Sequence, residues 1–488
     1  MNFSLHDLIL LLPEDVLVGS TCIILLVDLF VKQKQRALTH WLSLLALIVT
    51  ICLVLADTDS ARTAFNGAFI HDGVAAVLKV FILAITATVL VYSRSYMRDR
   101  KLLVGEFYLL CLFATLGMML LVSAGSLVMV YLGLELFALA TYALVAIHRD
   151  SSRASEAAMK YFVLGALASG MLLFGMSMIY GATGTLDLAQ IHQAVATAMA
   201  AGGNPHHQVL LAFGMVFLVV GIGFKFGVVP FHMWLPDVYE GSPTAVTIFI
   251  GTAPKLAAFG MAYRLLDAGL GGLSPDWGLM LAVLAALSLI LGNVVAIVQT
   301  NIKRMLAYST ISHVGFLLLG LANGTPSGFA AAMFYAIAYA IMTTVAFGVI
   351  LLLARTGFEA EEIDDFKGLN QRNPWYAFIM ALSMFSLAGV PPLFGFFSKL
   401  LVLKAAIDAG MMWLAIIAIV FAVIGCYYYL RVVKVMYFDA PADKTALQLP
   451  QDLPLRWLLS INGVALIVLG VLWGPLIGWC YRAFGLPS

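Results

Sequence analysis

Five lysines lie inside long apolar runs: Lys79, Lys160, Lys225, Lys255 and Lys399. The 14 arginines, by contrast, all fall between such runs or at their ends. A buried positive charge that served structure alone would be supplied as well by arginine, with its five donors. Lysine differs because desolvation can bring an amine's pKa down far enough for it to release a proton. Against these five lysines one carboxylate, Glu135, lies deep in an apolar run, and His313 adds a further titratable group. A lysine at the centre of a membrane span costs roughly 2.5–3.5 kcal/mol on insertion scales, and intramembrane ionisable groups are functional by default. The chemistry this set offers is proton transfer along a row of amines, modulated by one carboxylate.

The elements that must position these groups are membrane helices. Of 488 residues, 62% are hydrophobic and 11% charged, and the mean hydropathy is +0.99. That composition indicates an all-α polytopic membrane protein. Apolar runs of about 20 residues predict fourteen helices, near 10–31, 38–56, 73–92, 103–122, 127–147, 156–180, 209–235, 244–266, 277–299, 304–322, 328–354, 375–403, 411–437 and 456–480. The segment 181–207 has room for one short amphipathic element. The first span, with no small-residue cleavage pattern after it, is expected to be a retained anchor.

The seventh helix is the most irregular. Gly221, Gly223, Gly227 and Pro230 interrupt it around Lys225, and such breaks within a bilayer are tolerated where they line an ion or proton site. Gly389-Val-Pro-Pro-Leu-Phe-Gly-Phe-Phe-Ser-Lys399 on the twelfth helix repeats the theme of glycine, proline, aromatic residues and one lysine. The two segments lie five helices apart and so cross in opposite directions, the pattern of an inverted-topology repeat with discontinuous helices seven and twelve. By the same offset His313 answers Glu135. Glu135, Lys225, Lys255 and His313 all fall at or near the middle of their spans, with Lys160 displaced toward one face and Lys399 toward the other. Pro254, directly before Lys255, should open the backbone ladder there.

Orientation follows from the 27 basic residues. Eighteen fall in the odd-numbered connections. Four (Arg62, Arg264, Lys404 and Arg482) fall on the opposite side, and the remaining five are the lysines within spans. Positive residues favour the cytoplasmic side, so both termini are expected on the non-cytoplasmic side.

Plainer interpretations stand beside these. Lys79 sits about two turns from a helix end and can snorkel to the interface, and Lys160 is equally open to that account. His313 is also consistent with a packed core histidine, and His232 and Asp237 with solvated capping. Asp28, four residues before Lys32, reads as an interfacial ion pair. The cysteines Cys22, Cys52, Cys111, Cys426 and Cys480 are scattered singly, without metal-ligand spacing. Gly221-x-Gly223 is no dinucleotide fingerprint, because Phe226 stands where a third glycine belongs and no strand precedes it. Neither a redox centre nor a nucleic-acid surface is expected in this chain.

Several segments resemble the antiporter-like subunits of proton-translocating NADH:quinone oxidoreductase (respiratory complex I), and within them the N type. These are Tyr131-Leu-Gly-Leu-Glu-Leu136, Ser155-Glu-Ala-Ala-Met-Lys-Tyr-Phe162, the block from Phe224 to Gly241 with its Pro-Phe-His-Met-Trp-Leu-Pro-Asp core, and Ala253-Pro-Lys255. Lysine rather than glutamate at 399 is similar to the N and L types, and the expected absence of a long lateral helix after helix fourteen sets the L type aside. The resemblance implies an N-terminal unit of three helices (1–102), a first antiporter-like repeat (103–270, helices 4–8), a second (271–440, helices 9–13) and a C-terminal helix (441–488). It implies proton translocation through Glu135, Lys225, Lys255 and Lys399, with Lys160 and His313 as auxiliaries. It further implies NADH, FMN, iron–sulfur clusters and quinone in partner subunits, sister antiporter-like subunits and lipid as neighbours, and a bacterial inner membrane. A subunit of a multi-component cation/proton antiporter is the main alternative, and a structural scaffold without its own channel is another.

Overall fold

A computed structural model describes residues 5–32, 35–57, 61–200, 204–354, 357–441 and 452–487. The chain opens with α1 (Leu5–Leu10), α2 (Leu12–Asp28) and α3 (Ala37–Ala56). A short antiparallel hairpin of β1 (Arg62–Ala64) and β2 (Phe69–His71) then leads into α4 (Gly73–Asp99). Next come α5 (Gly105–Val122), α6 (Leu127–Val145), α7 (Ser152–Thr183), α8 (Leu188–Met199), α9 (Pro205–Phe226), α10 (Trp234–Gly241), α11 (Thr244–Gly251) and α12 (Ala253–Tyr263). The remainder is α13 (Ser274–Ile297), α14 (Ile302–Ala322), α15 (Pro326–Leu353), α16 (Leu369–Arg372), α17 (Pro374–Ala388), α18 (Phe394–Asp408), α19 (Met412–Phe438), α20 (Leu453–Val471) and α21 (Gly474–Ala483).

Helix starts are written in the sequence. Asp72, Ser126, Ser151, Asn301 and Thr325 each accept a hydrogen bond from the backbone N–H three residues on, filling donors that a helix N-terminus otherwise leaves unpaired. The short element expected within 181–207 is α8, capped by Asp187. The hairpin at 62–71 had no clear signal.

Among the described residues, twelve helices are long and apolar enough to cross a membrane. Two expected spans take other forms: α2 has 17 residues, and 375–403 divides into α17 and α18, of 15 residues each. The span expected over 244–266 is also divided. Thr252, at φ −122° and ψ −86°, separates α11 from α12, and its Oγ1 donates to Ile248 O at 2.6 Å. Pro254 then sits in the first turn of α12, where its missing N–H costs nothing. Discontinuity is therefore not confined to the seventh and twelfth helices. After Tyr263 the helix continues as one wider π turn, Arg264–Gly269.

Burial separates a centre from a periphery. The most apolar window of 244–269 is 100% buried, and those of α14 and α15 are 94% buried, whereas α19 and α20 reach only 33% and 28%. Lys255 and His313 thus stand on helices surrounded by protein on every side.

Candidate functional site

The site begins at the end of α9. Gly227 adopts a left-handed conformation (φ +76°) that a β-carbon would strain. Its N–H donates to Gly223 O and Phe224 O at 2.9 and 3.0 Å, and Val228 N–H donates to Gly223 O at 3.0 Å. This C-terminal cap satisfies part of the last turn. Trp234 Nε1 then donates to Phe224 O at 3.0 Å, and Lys255 Nζ donates to Phe226 O at 2.8 Å. The Lys255 amine also lies 5.4 Å from the centre of the Trp234 ring, and the residue is only 1% exposed. A cation at a helix C-terminus meets the negative end of the backbone dipole.

The end of α17 is built the same way. Gly389 (φ +90°) donates to Phe385 O and Ser386 O at 3.0 Å, and Val390 N–H donates to Phe385 O at 3.0 Å. Lys399 Nζ donates to Leu387 O and Ala388 O, each at 2.9 Å, and lies 4.9 Å from the Phe316 ring centre. Both connections carry a cis proline bond, Val229–Pro230 and Pro391–Pro392. The sequence echo sets Lys225 against Lys399. In the folded chain the lysines that share this arrangement are Lys255 and Lys399, one reaching across from the next helix and one folding back from its own.

Lys225 is held differently. Its Nζ is buried and, like Oε1 of Glu135, has no hydrogen-bond partner among the described residues. It lies 5.1 Å from the Phe137 ring and 5.7 Å from the Tyr142 ring. Glu135 is close enough to Lys225 to interact electrostatically, yet the two form no ion pair. Close contact of α5 with α6 fixes the Glu135 helix, since a β-carbon on Gly133 would lie 2.8 Å from Leu121 N. Leaving the Lys225 amine and this one oxygen of the part-buried Glu135 without partners is costly.

Lys160 is not a buried relay. Its side chain is 43% exposed, and Nζ sits 2.8 Å from both Glu156 Oε1 and Asp237 Oδ2. Arg304 Nη1 donates to Asp237 Oδ1 and Glu240 Oε2, both at 2.9 Å, and Arg153 pairs with Glu240 and Glu361. All of these groups but Glu361 line a cavity of about 150 Å³. Burial alone would raise the Asp237 carboxyl, but hydrogen bonds from Lys160 and Arg304 outweigh it and hold the group below the ordinary carboxylate range. Asp237, which sequence left as a solvated cap, is the group that organises this mouth.

His313 is fully engaged: Nδ1 is 2.6 Å from the Tyr335 hydroxyl and Nε2 is 3.0 Å from that of Tyr429. Three further groups depart from expectation. Lys79 does not snorkel; its Nζ lies 2.6 Å from Glu14 Oε1, with side-chain exposures of 1% and 3%. Glu14 was missed because it follows Pro13 at the start of a span and looks like an interfacial cap. Arg264 is no loop cation either: it is 3% exposed, donates through both terminal nitrogens to Asp72 at 2.7 and 2.8 Å, and through Nε to Val122 O at 3.0 Å. Asp28 pairs with Arg36 at 2.5 Å rather than with Lys32.

Comparison with known proteins decides the family. The family described as NADH:quinone oxidoreductase/Mrp antiporter, TM, matches residues 124–425, and NAD(P)H-quinone oxidoreductase subunit 2 N-terminal matches residues 1–93. NADH-quinone oxidoreductase subunit N of Xanthomonas euvesicatoria is 55% identical over 478 residues, covering 98% of this chain and 96% of the relative. The chain belongs to the NADH-quinone oxidoreductase subunit N family. Among solved structures, a chain of respiratory complex I from Thermus thermophilus superposes with a TM-score of 0.81 at 32% identity, covering 95% of this chain and 98% of that one. A chain of the Mrp complex from Dietzia shares the fold, at TM-score 0.80 and 22% identity over 99% of this chain and 97% of that one. In this subunit N family member, the segment matched by the first family contains Glu135, Lys160, Lys225, Lys255, His313 and Lys399. Glu14 and Lys79 lie in the segment matched by the second.

Proposed function

We propose that the chain translocates protons as a membrane-arm subunit of NADH:quinone oxidoreductase, with Glu135, Lys225, Lys255 and Lys399 as its proton-carrying groups. The supporting observation is the shared arrangement of Lys255 and Lys399, each a buried amine on the C-terminal carbonyls of an interrupted helix. Such an amine loses little on giving up its proton, because its partners are neutral carbonyls rather than carboxylates. Glu135 modulates Lys225, Lys255 relays at the centre, and Lys399 releases toward the outer face. Lys160 and the cavity around Asp237 admit protons from the cytoplasm, and His313 serves as an auxiliary group on the way to Lys399.

The same reading takes the chain as fourteen spans in two inverted five-helix repeats, 103–270 and 271–440, between an N-terminal unit at 1–102 and a last helix at 441–488. It puts both termini outside the cytoplasm of a bacterial inner membrane, and sister antiporter-like subunits and lipid at the flanks. NADH, FMN, iron–sulfur clusters and quinone belong to partner subunits, where the redox chemistry proceeds.

Lys255→Arg tests the reading. Arginine keeps the charge and much of the reach but stays protonated at any physiological pH. The variant complex should assemble and reduce artificial acceptors normally, yet fail at vesicle acidification and proton-coupled quinone reduction as badly as Lys255→Ala. Near-normal acidification by Lys255→Arg would remove deprotonation from the mechanism and leave a scaffold role.

A further inference from the structure

Around His313 the hydroxyl groups form a continuous chain. Ser309 Oγ lies 2.5 Å from Tyr429 Oη, Tyr429 Oη lies 3.0 Å from His313 Nε2, and His313 Nδ1 lies 2.6 Å from Tyr335 Oη. Three helices contribute: α14 carries Ser309 and His313, α15 carries Tyr335, and α19 carries Tyr429. All four side chains are almost completely buried. Beyond Tyr335, its ring stacks on Phe316 at 6.0 Å, and the same Phe316 ring lies under the Lys399 amine at 4.9 Å. At the other end Ser309 is one turn nearer the start of α14, where Lys303 and Arg304 lie.

The composition of this chain is what matters. A hydroxyl both donates and accepts, and a neutral imidazole donates from one nitrogen while accepting at the other. Every member can therefore take a proton on one side and give one up on the other. A neighbouring chain lacks that property: Tyr428 donates to Asn293 Oδ1 at 3.0 Å, and Asn293 Nδ2 donates to Ser312 Oγ at 2.8 Å. An amide fixes the direction of its bonds and stops transfer.

We propose that Ser309, Tyr429, His313 and Tyr335 form a proton wire supplying Lys399, with the two tyrosines as relay residues. In one passage the Ser309 proton moves to Tyr429 Oη and the Tyr429 proton to His313 Nε2. The proton on His313 Nδ1 moves to Tyr335 Oη, and the Tyr335 proton passes through water to the neutral Lys399 amine. Ser309 is reprotonated from the cytoplasmic side, so each O–H or N–H bond broken is matched by one formed. Rotation of the hydroxyls and return of the imidazole to its first tautomer reset the wire. The inference rests on the proton-translocating reading above and assigns it residues that composition alone did not single out.

Tyr335→Phe and Tyr429→Phe keep the rings and remove the hydroxyls. In sealed vesicles of the whole complex, each should slow proton-coupled quinone reduction and acidification by about a hundredfold, the modest end of what a positioned proton-transfer group supplies. NADH oxidation by an artificial acceptor should be unchanged. The slowing in D₂O should grow, a change that loss of packing would not produce, and the double variant should be no worse than the poorer single one. Should Tyr429→Phe fail to assemble, Ser309→Ala reads the same end. Normal pumping by the assembled hydroxyl variants, beside a Lys399→Ala complex that does not pump, would overturn the wire and leave the function standing. Normal pumping by Lys399→Ala as well would sink the function itself.

Discussion

Lys225 and Lys255 are both buried, yet they meet that burial in opposite ways. Lys255 has a carbonyl within 2.8 Å, while Lys225 has only ring faces and the field of a carboxylate it does not touch. The charged state of Lys225 therefore depends on Glu135 more than that of Lys255 does. Glu135→Gln should impair acidification while leaving assembly and artificial-acceptor activity intact, and equal pumping in the variant would break the link. The Glu14–Lys79 pair belongs to the other class, a closed contact with both partners buried. Removing one member strands a charge and should cost about 3–5 kcal/mol. Lys79→Met or Glu14→Gln should each lower the complex's thermal stability, and the double variant should recover most of the loss. A double variant as unstable as the singles would refute a simple charge pair.

At the scale of elements, two helix ends do the positioning. A β-carbon at Gly389 would lie 3.0 Å from Lys399 Cδ and 3.4 Å from its Nζ, on a backbone at φ +90°. Gly389→Ala should cost about 1–2 kcal/mol from the left-handed backbone alone and should displace the amine as well. Pumping should fall more than stability does, measured as acidification per NADH oxidised against melting temperature. The loop carrying Glu361 joins α7 to α14 through Arg153 at 2.8 Å and Lys303 at 3.0 Å. Burial raises the Glu361 carboxyl, but Lys303 and Arg153 outweigh it and hold the group below its ordinary 4.5. The stabilisation is complete above that ordinary value and is lost as pH falls through the lower folded one. Melting temperature should therefore drop as the complex is acidified below about 4.5, and Glu361→Gln should flatten that drop.

Such ends were partly legible in advance. Gly227, Gly389, Lys255 and Lys399 stand out because a glycine–proline break or a charge in an apolar run has no cheap local explanation. Asp237, Glu14 and Arg264 did not, since each sits where a solvated cap or loop cation would look the same until its partner arrives from a distant helix. The break at Thr252 was signalled only by Pro254 two residues on, and the Thr252 hydroxyl takes up the Ile248 carbonyl it leaves. Tyr335 and Tyr429 were hidden by type, as aromatic residues among many others.

For the whole molecule, the bias of basic residues toward one side carries the orientation. A reporter joined to the C-terminus should be active only outside the cytoplasm, and activity inside would reverse the assignment. The closed centre made by 244–269, α14 and α15 has a further consequence, for electrical insulation. A proton that slips back down a membrane potential dissipates about 2.3 kcal/mol for every 100 mV. The close packing of these helices, rather than the lysines, should be the barrier to such slippage, so leak and pumping should be separable by mutation. Ala338 is 0% exposed on α15, and Ala338→Asn should admit water there. The expected signature is a lower membrane potential at an undiminished rate of NADH oxidation, read with a potential-sensitive dye. Packing at the centre then sets how much of each turnover stays stored across the membrane.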